Sequence, residues 1–258
     1  MKIILLGSNS EIAKDLIAKY ENDKKNEFVL FQRVIPKKLI PKKKYIKLDL
    51  QKDDLKKVIN KNKKNLLKWS LLIISVGDLM PIGKYLDIKF SKIKKSLDTN
   101  FLKQIEFIHI LLNLENNKNK TIITFAGSGT NGTADNIMSY SLSKVSLIKF
   151  TELINSEIKQ LKIVSLGPGW YKSKLHNSTL QNKIQSGKNY DKTIINLKRA
   201  DNIVKAELIF KFINWVLKKP INVVSGRNFS IQDDMKYFIE NKNLKVFKSK
   251  SFFKLRTR

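Results

Sequence analysis

Apolar residues along this chain recur with two different periods. Short continuous runs rich in β-branched residues fall at Lys2 to Gly7, Phe28 to Gln32, Tyr45 to Leu50, Leu71 to Val76, Thr121 to Phe125, Lys162 to Leu166 and Ile221 to Val224. Their length and composition predict buried strands. Between them, apolar positions recur every three or four residues. Ile12, Ala13, Leu16, Ile17 and Tyr20 define a first helix, opened by the capping residues Ser8-Asn9-Ser10. Residues 52–65 read as a Lys-rich surface helix. Phe90, Ile93, Leu97, Phe101, Ile105, Ile108 and Leu112 define one long helix over 88–114, and residues 137–160 and 202–218 give two more. Residues 170–200 are polar and poorly periodic, which predicts a lid of short helices. Strands alternating with helices predict an α/β, doubly wound parallel sheet of about seven strands with helices on both faces. Such sheets bind ligands outside the carboxyl ends of their strands. Gly, Ser and polar residues cluster after strands one, four, five and six, which puts one site on one rim.

Composition narrows the chemistry. With no cysteine among 258 residues, disulfides, iron–sulfur clusters, thiol nucleophiles and Cys-based zinc sites are excluded. Two histidines, His109 and His176, are too few for a multi-His metal centre. No apolar run approaches the roughly 20 residues that span a bilayer, and the apolar stretch at the start is short for a signal peptide. The expectation is a cytoplasmic protein without a membrane partner.

The formal charge of +29 invites a nucleic-acid reading. Yet 46 of the 51 basic residues are Lys and only 5 are Arg, the better reader of bases and phosphates. Asn and Ile are abundant and Ala is scarce, as AT-rich codon usage would produce. The excess is also spread along the chain. No specific nucleic-acid partner is expected, only weak adhesion at low salt.

Two motifs carry chemistry. Gly7 to Ala13 reads G-S-N-S-E-I-A, a turn between strand and helix that suits a dinucleotide pyrophosphate. Glu11 and Ala13 stand where a fuller glycine motif would have glycines. The second motif is Tyr-x-x-x-Lys, which puts a phenol and an ammonium on one helix face. A neighbouring cation favours tyrosinate and lowers a pKa otherwise near 10, making a general acid/base for carbonyl–alcohol chemistry. Chance alone predicts about one such pair from 7 Tyr and 46 Lys, and the chain holds three: Tyr20/Lys24, Tyr85/Lys89 and Tyr140/Lys144. Only the third follows a strand and a Gly-Ser loop and lies well inside a predicted helix.

The order of these features resembles the short-chain dehydrogenase/reductase family in its compact, Rossmann-like form. The resemblance runs over residues 2–232. It rests on the Gly7 loop, Asp49-Leu50, Asn100 in D-T-N-F, Ser128, the Y-S-L-S-K run from Tyr140 and P-G-W-Y-K-S from Pro168. It implies an NADP or NAD cofactor and a small-molecule carbonyl or alcohol substrate, with a homo-oligomer (dimer or tetramer) as partner. Gly7, Ser8, Asn9, Ser10 and Ile12 would cradle the pyrophosphate, with Gly77 nearby. Asp49 would meet the adenine amine, with the Leu50 backbone beside it. Tyr140 would be the acid/base, and Lys144 would hold the ribose and depress the phenol's pKa. Ser128 would orient the carbonyl, and Asn100 would hold a proton-relaying water. Pro168, Gly169, Tyr171 and Ser173 would line the nicotinamide end.

Departures accompany the likeness. Ile74-Ser75-Val76-Gly77 replaces the family's N-N-A-G. The catalytic serine usually lies 13 residues before the tyrosine; that slot is Gly127, leaving Ser128 one residue late and Thr130 as the next hydroxyl. Strand two ends Phe31-Gln32-Arg33 without an acid, so Arg33 is expected to favour NADP over NAD. A loose similarity of the end of the chain to relatives in surface-polysaccharide synthesis suggests a sugar or nucleotide-sugar. The alternative is a noncatalytic dinucleotide-sensing or polyanion-binding module on the same fold. Residues 1–232 are expected to form one domain and 233–258 a basic extension.

Overall fold

The structure is a computed structural model that describes residues 1–115, 118–199, 203–232, 234 and 254–255. The basic extension expected over 233–258 therefore lies almost entirely outside the described residues. Seven parallel strands form one sheet: β1 (Lys2–Leu6), β2 (Glu27–Gln32), β3 (Lys43–Lys47), β4 (Leu71–Ile74), β5 (Thr121–Phe125), β6 (Lys162–Gly167) and β7 (Arg227–Ser230). Their order is β3-β2-β1-β4-β5-β6-β7, so the chain starts in the middle and winds outward twice. The reversal between β1 and β4 opens a crevice at their carboxyl ends, where such sheets bind ligands.

The helices are α1 (Glu11–Tyr20), α2 (Leu55–Lys61), α3 (Lys63–Leu66), α4 (Phe90–Leu97), α5 (Lys103–Leu112), α6 (Met138–Glu157), α7 (Leu175–Gln181), α8 (Lys183–Ser186), α9 (Lys188–Lys198), α10 (Ala206–Lys218) and α11 (Ile221–Val224). Both sheet faces are covered. Ile3, Leu5, Leu71, Ile73, Ile123 and Val164 pack against α1 and α10, where Leu16, Ile209, Phe212 and Ile213 are fully buried. Ile4, Leu72, Ile122 and Ile163 pack against the opposite layer, with Leu55, Ile59, Phe107 and Leu111. Each such side chain contributes roughly 1.5–3 kcal/mol by leaving water, which is why the strand runs read as continuous rather than alternating.

Three expectations are corrected. The INVV run at 221–224 is one helical turn, not a strand, and β7 begins three residues later. Pro220 starts that turn and Gly226, at φ +73, reverses the chain, so Phe229 rather than the valines enters the sheet. The helix expected over 52–65 breaks at Asn62, which caps α2 and starts α3. The long helix expected over 88–114 carries a π-helical turn at Asp98–Leu102. Such turns occur frequently at functional sites, and this one contains Asn100.

The lid segment forms α7, α8 and α9. Its two ends meet where Trp170 pairs with Ile203 and the Val204 amide donates to the Trp170 carbonyl at 2.7 Å.

Candidate active site

Strand β1 ends at Gly7, whose φ of +83 an L side chain rarely adopts. A Cβ there would also lie 3.0–3.2 Å from the side chain and backbone of Val76 and the backbone of Ser75. The chain must therefore be glycine where it turns under the end of β4. Ser75 fixes the same junction by donating its hydroxyl to the Gly7 carbonyl at 2.9 Å. The buried Ser8 donates to the Gln32 Oε1 at 2.9 Å, tying the loop to the end of β2. Ser10 caps α1 by accepting from the Ala13 amide at 3.2 Å. Asn9 is exposed and Ile12 packs against the core beneath. A helix N-terminus leaves backbone donors without helical partners, and this one follows directly on the Gly7 turn. Glycine positions 11 and 13 are replaced without disturbing the helix start.

Arg33 is exposed just beyond β2, beside the Gln32 amide, which donates to the Val34 carbonyl at 2.8 Å. Asp49 lies two residues past β3 and accepts from the Gln51 amide at 3.0 Å, closing its own turn; Leu50 is buried beside it.

The acid/base half converges on one point. Tyr140 and Lys144 lie on the buried face of α6. Lys144 Nζ donates to the Val76 carbonyl at 3.2 Å and lies 5.6 Å from the centre of the Tyr140 ring. Gly77, just after β4, borders that ring: a Cβ there would be 3.9 Å from Tyr140 Cε2 and 3.6 Å from Leu175. The other two Tyr-x-x-x-Lys pairs are elsewhere. Tyr20 is in the core with its ring 4.8 Å from that of Phe210, and Tyr85 is 55% exposed. Burial pulls the Lys144 ammonium down to about 8 and pushes the Tyr140 phenol up to about 12. Desolvation is the cause of both shifts.

Asn100 is fully buried on the π-helical turn, and its amide clasps the loop after β4. It donates to the Asp78 carbonyl at 2.8 Å and accepts from the Asp78 amide at 2.9 Å. Its side chain thus fixes the backbone of the loop after β4.

The serine slot is filled in another way. A Cβ on Gly127 would overlap the Tyr140 hydroxyl and lie 2.9 Å from ring carbons Cε1 and Cζ. The phenol occupies the space a serine would need. The loop beyond is tied down by Thr130, which donates to the Gly127 carbonyl at 2.9 Å, and by Ser141, which donates to the Ser128 carbonyl at 3.0 Å. Ser128 is exposed at its tip, whereas the Thr130 hydroxyl is committed to the loop.

Past β6, Pro168 and Gly169 turn the chain toward the lid, with Gly169 at φ +70. The Tyr171 hydroxyl donates to the Asp15 carboxylate on α1, so its ring points away from the acid/base pair. The Tyr171 carbonyl lies 2.9 Å from His176 Nε2, and the His176 ring stacks on Trp170 at 4.8 Å. Ser173 is half-buried, its carbonyl accepting from the His176 amide at 3.2 Å. Lys174 pairs with Glu11 at 3.6 Å. Sequence reasoning missed this Glu11/Asp15 anchorage, whose only sequence signal is a pair of acids one turn apart on the first helix of a basic chain.

A wound α/β sheet with one buried Tyr/Lys pair at its carboxyl-end rim is the architecture of a dehydrogenase-type protein. The profile of the short chain dehydrogenase family matches residues 2–184, and the chain belongs to that family. A short chain dehydrogenase/reductase of Saccharomyces cerevisiae shares the fold at a TM-score of 0.79 and 19% identity, over 91% of this chain and 97% of that one. A short chain dehydrogenase family protein of Francisella tularensis does so at 0.73 and 19%, over 89% and 96%. A 4-hydroxyisoleucine dehydrogenase complexed with NADH is similar at 0.73 and 20%, over 89% and 96%. ElxO with NADP bound is similar at 0.71 and 18%, over the same shares. No curated protein sequence is significantly similar to the chain. Among the described residues, no helix is long and apolar enough to cross a membrane.

Proposed function

We propose that this chain is an NAD(P)-dependent oxidoreductase that interconverts a carbonyl and a secondary alcohol, with Tyr140 as general acid/base. The observation that carries the reading is the buried Tyr140/Lys144 pair beside Gly77 and Val76, at the sheet's switch point. The Gly7 turn, the start of α1 and the loop at Asp49 would hold the dinucleotide. Family relatives with NADP or NADH bound support that cofactor class. When bound, a nicotinamide dinucleotide supplies or accepts the hydride.

The chain's own residues manage the proton. In reduction, Tyr140 Oη gives its proton to the substrate oxygen as the C=O becomes a C–O–H, and the tyrosinate is reprotonated from solvent. Lys144, when charged, stabilises that tyrosinate. Ser128 would donate to the same substrate oxygen. Arg33, exposed beyond β2 where no carboxylate stands, would favour NADP over NAD. A dimer or tetramer belongs to the same proposal. It is supported by the half-exposed Leu102, Leu142 and Leu153 on the outer helices, and sedimentation velocity reads it directly.

Tyr140→Phe keeps the ring and removes the proton. Cofactor binding is expected to survive while turnover falls about 10²–10⁴-fold. Tyr20→Phe and Tyr85→Phe are controls expected to keep full turnover. Dinucleotide binding with no Tyr140-dependent turnover of any carbonyl would instead identify the noncatalytic module.

A further inference from the structure

Apart from Lys144, the side chains clustered with the Tyr140 ring are apolar. Leu79 and Ile82, from the loop after β4, and Ile137, from the start of α6, are buried in one cluster with Tyr140. Ala134 and Leu175 close it from the neighbouring loop and the lid. Gly77 and Gly127 bring only backbone against the ring. Tyr140 itself is 5% exposed, and Leu175 is the member of its cover that comes from the lid. The faces that a substrate beside the phenol meets are Leu79, Ile82, Ile137 and Leu175.

Several polar groups around this cluster are already engaged with the protein. The Asn136 side-chain amide donates to the Gln185 carbonyl at 2.7 Å, and the Asn136 backbone carbonyl accepts from the Gly83 amide at 2.8 Å. Asn189 donates to the Asp135 carbonyl. Asp78 accepts from the Met80 amide at 3.0 Å. Thr130 and Ser141 hold the Gly127–Thr130 loop, and His176 faces the Tyr171 carbonyl and Trp170. A polyhydroxylated substrate would bury several hydroxyls against these walls without partners, which binding sites penalise strongly.

We infer that the substrate is a ketone or secondary alcohol flanked by apolar carbon, an aliphatic or aryl-alkyl compound, and not a sugar. This rests on Tyr140 being the acid/base, and it replaces the sugar suggested by the end of the chain. The apolar walls orient the carbonyl by excluding every other part of the molecule from hydrogen bonding.

The test uses the full chain loaded with NADPH, or with NADH should that bind better. Turnover of octan-2-one and acetophenone is compared with that of glucose and fructose. Separately, 1-phenylethanol and sorbitol are titrated against the cofactor fluorescence of the loaded protein, a binding readout that needs no turnover. The apolar ketones are expected to exceed the sugars at least 100-fold in kcat/KM, and only 1-phenylethanol is expected to change the fluorescence. Leu175→Asn, on the lid surface of the cluster, is expected to raise KM for octan-2-one about tenfold with kcat nearly unchanged. Ile82→Asn is expected to do the same and to weaken 1-phenylethanol binding equally. Preferred turnover of a sugar, or failure of 1-phenylethanol to bind, overturns the inference. If 1-phenylethanol binds in a manner sensitive to Leu175→Asn and Tyr140→Phe leaves turnover intact, the apolar site stands and the Tyr140 reading falls.

Discussion

Gly7 and Gly127 sit at the two halves of the same rim, and both are glycine because something else occupies the space of a side chain. At Gly7 the occupant is the backbone of Ser75 and Val76 together with a Val76 methyl, and φ is +83. At Gly127 it is the far end of the Tyr140 side chain, and φ is ordinary. The cofactor half is therefore set by main-chain geometry that cannot yield. The acid/base half is set by side-chain packing that can. Substitutions in the first should damage the fold, and those in the second should damage alignment while the fold survives.

Gly127→Ser is the sharpest way to break that contrast, because it restores the residue type the family usually has at this slot. A serine there must push the phenol aside, and a misplacement of about 1 Å costs on the order of 10²-fold in rate. Turnover is expected to fall by about that factor, with the melting temperature within a few degrees of the parent. A serine that raised turnover would show that the phenol is free to retreat, and the packing argument would fail.

Burial of Lys144 gives the next effect, and it acts on stability rather than rate. Its pKa is pulled down to about 8, below that of an unfolded lysine, so the folded protein binds fewer protons than the unfolded chain between about pH 8 and 10. Stability must rise with pH across that window. Replacing the buried ammonium with Lys144→Met is expected to stabilise the fold by about 2–3 kcal/mol at pH 7, shrinking toward zero by about pH 10, while turnover is lost. Urea melts of both proteins at pH 7 and pH 9.5 measure it. A lysine variant destabilised equally at both values would contradict the burial argument.

Gly7→Ala tests the other half. A left-handed backbone costs an L residue roughly 1–2 kcal/mol, and the contact with Val76 adds to it. Loss of stability is expected together with weakened dinucleotide binding, which urea melts and cofactor titration resolve separately. Stability loss without any change in cofactor affinity would disconnect the turn from the site.

The contrast also explains what could be read from the sequence. The alternation of strands and helices, the Gly7 turn and the Tyr140/Lys144 pair follow from local period, from a glycine after a strand and from one-turn spacing. What stayed hidden depends on contacts between distant segments. The INVV run has strand-like composition, but Pro220 and Gly226 decide its geometry. The clasp of Asn100 on Asp78 joins residues 22 apart. The phenol in the serine slot joins Gly127 to α6, and the lid anchorage joins Asp15 to Tyr171 across 156 residues. No periodicity records such pairings.

The smallest expected effect falls on the exposed edge of the cofactor half. Arg33 follows a strand whose last side chain, Gln32, is neutral and engaged with Ser8 and Val34. No carboxylate stands there to take ribose hydroxyls or repel a 2′-phosphate. An exposed guanidinium beside a phosphate forms charge-assisted bonds worth about 1–2 kcal/mol after solvent screening. Arg33→Ala should therefore weaken NADPH about tenfold and leave NADH unchanged. The difference should shrink with added salt, since the site is open to water. Gln32→Asp should act in the same direction from the other side, adding repulsion toward the 2′-phosphate and an acceptor for ribose. Titration of both cofactors against the parent and the two variants, at 50 and 300 mM salt, separates this from general attraction by a chain of charge +29. General attraction would weaken both cofactors alike with salt and would be insensitive to Arg33. A selective, salt-dependent loss confined to NADPH places the discrimination at the end of β2.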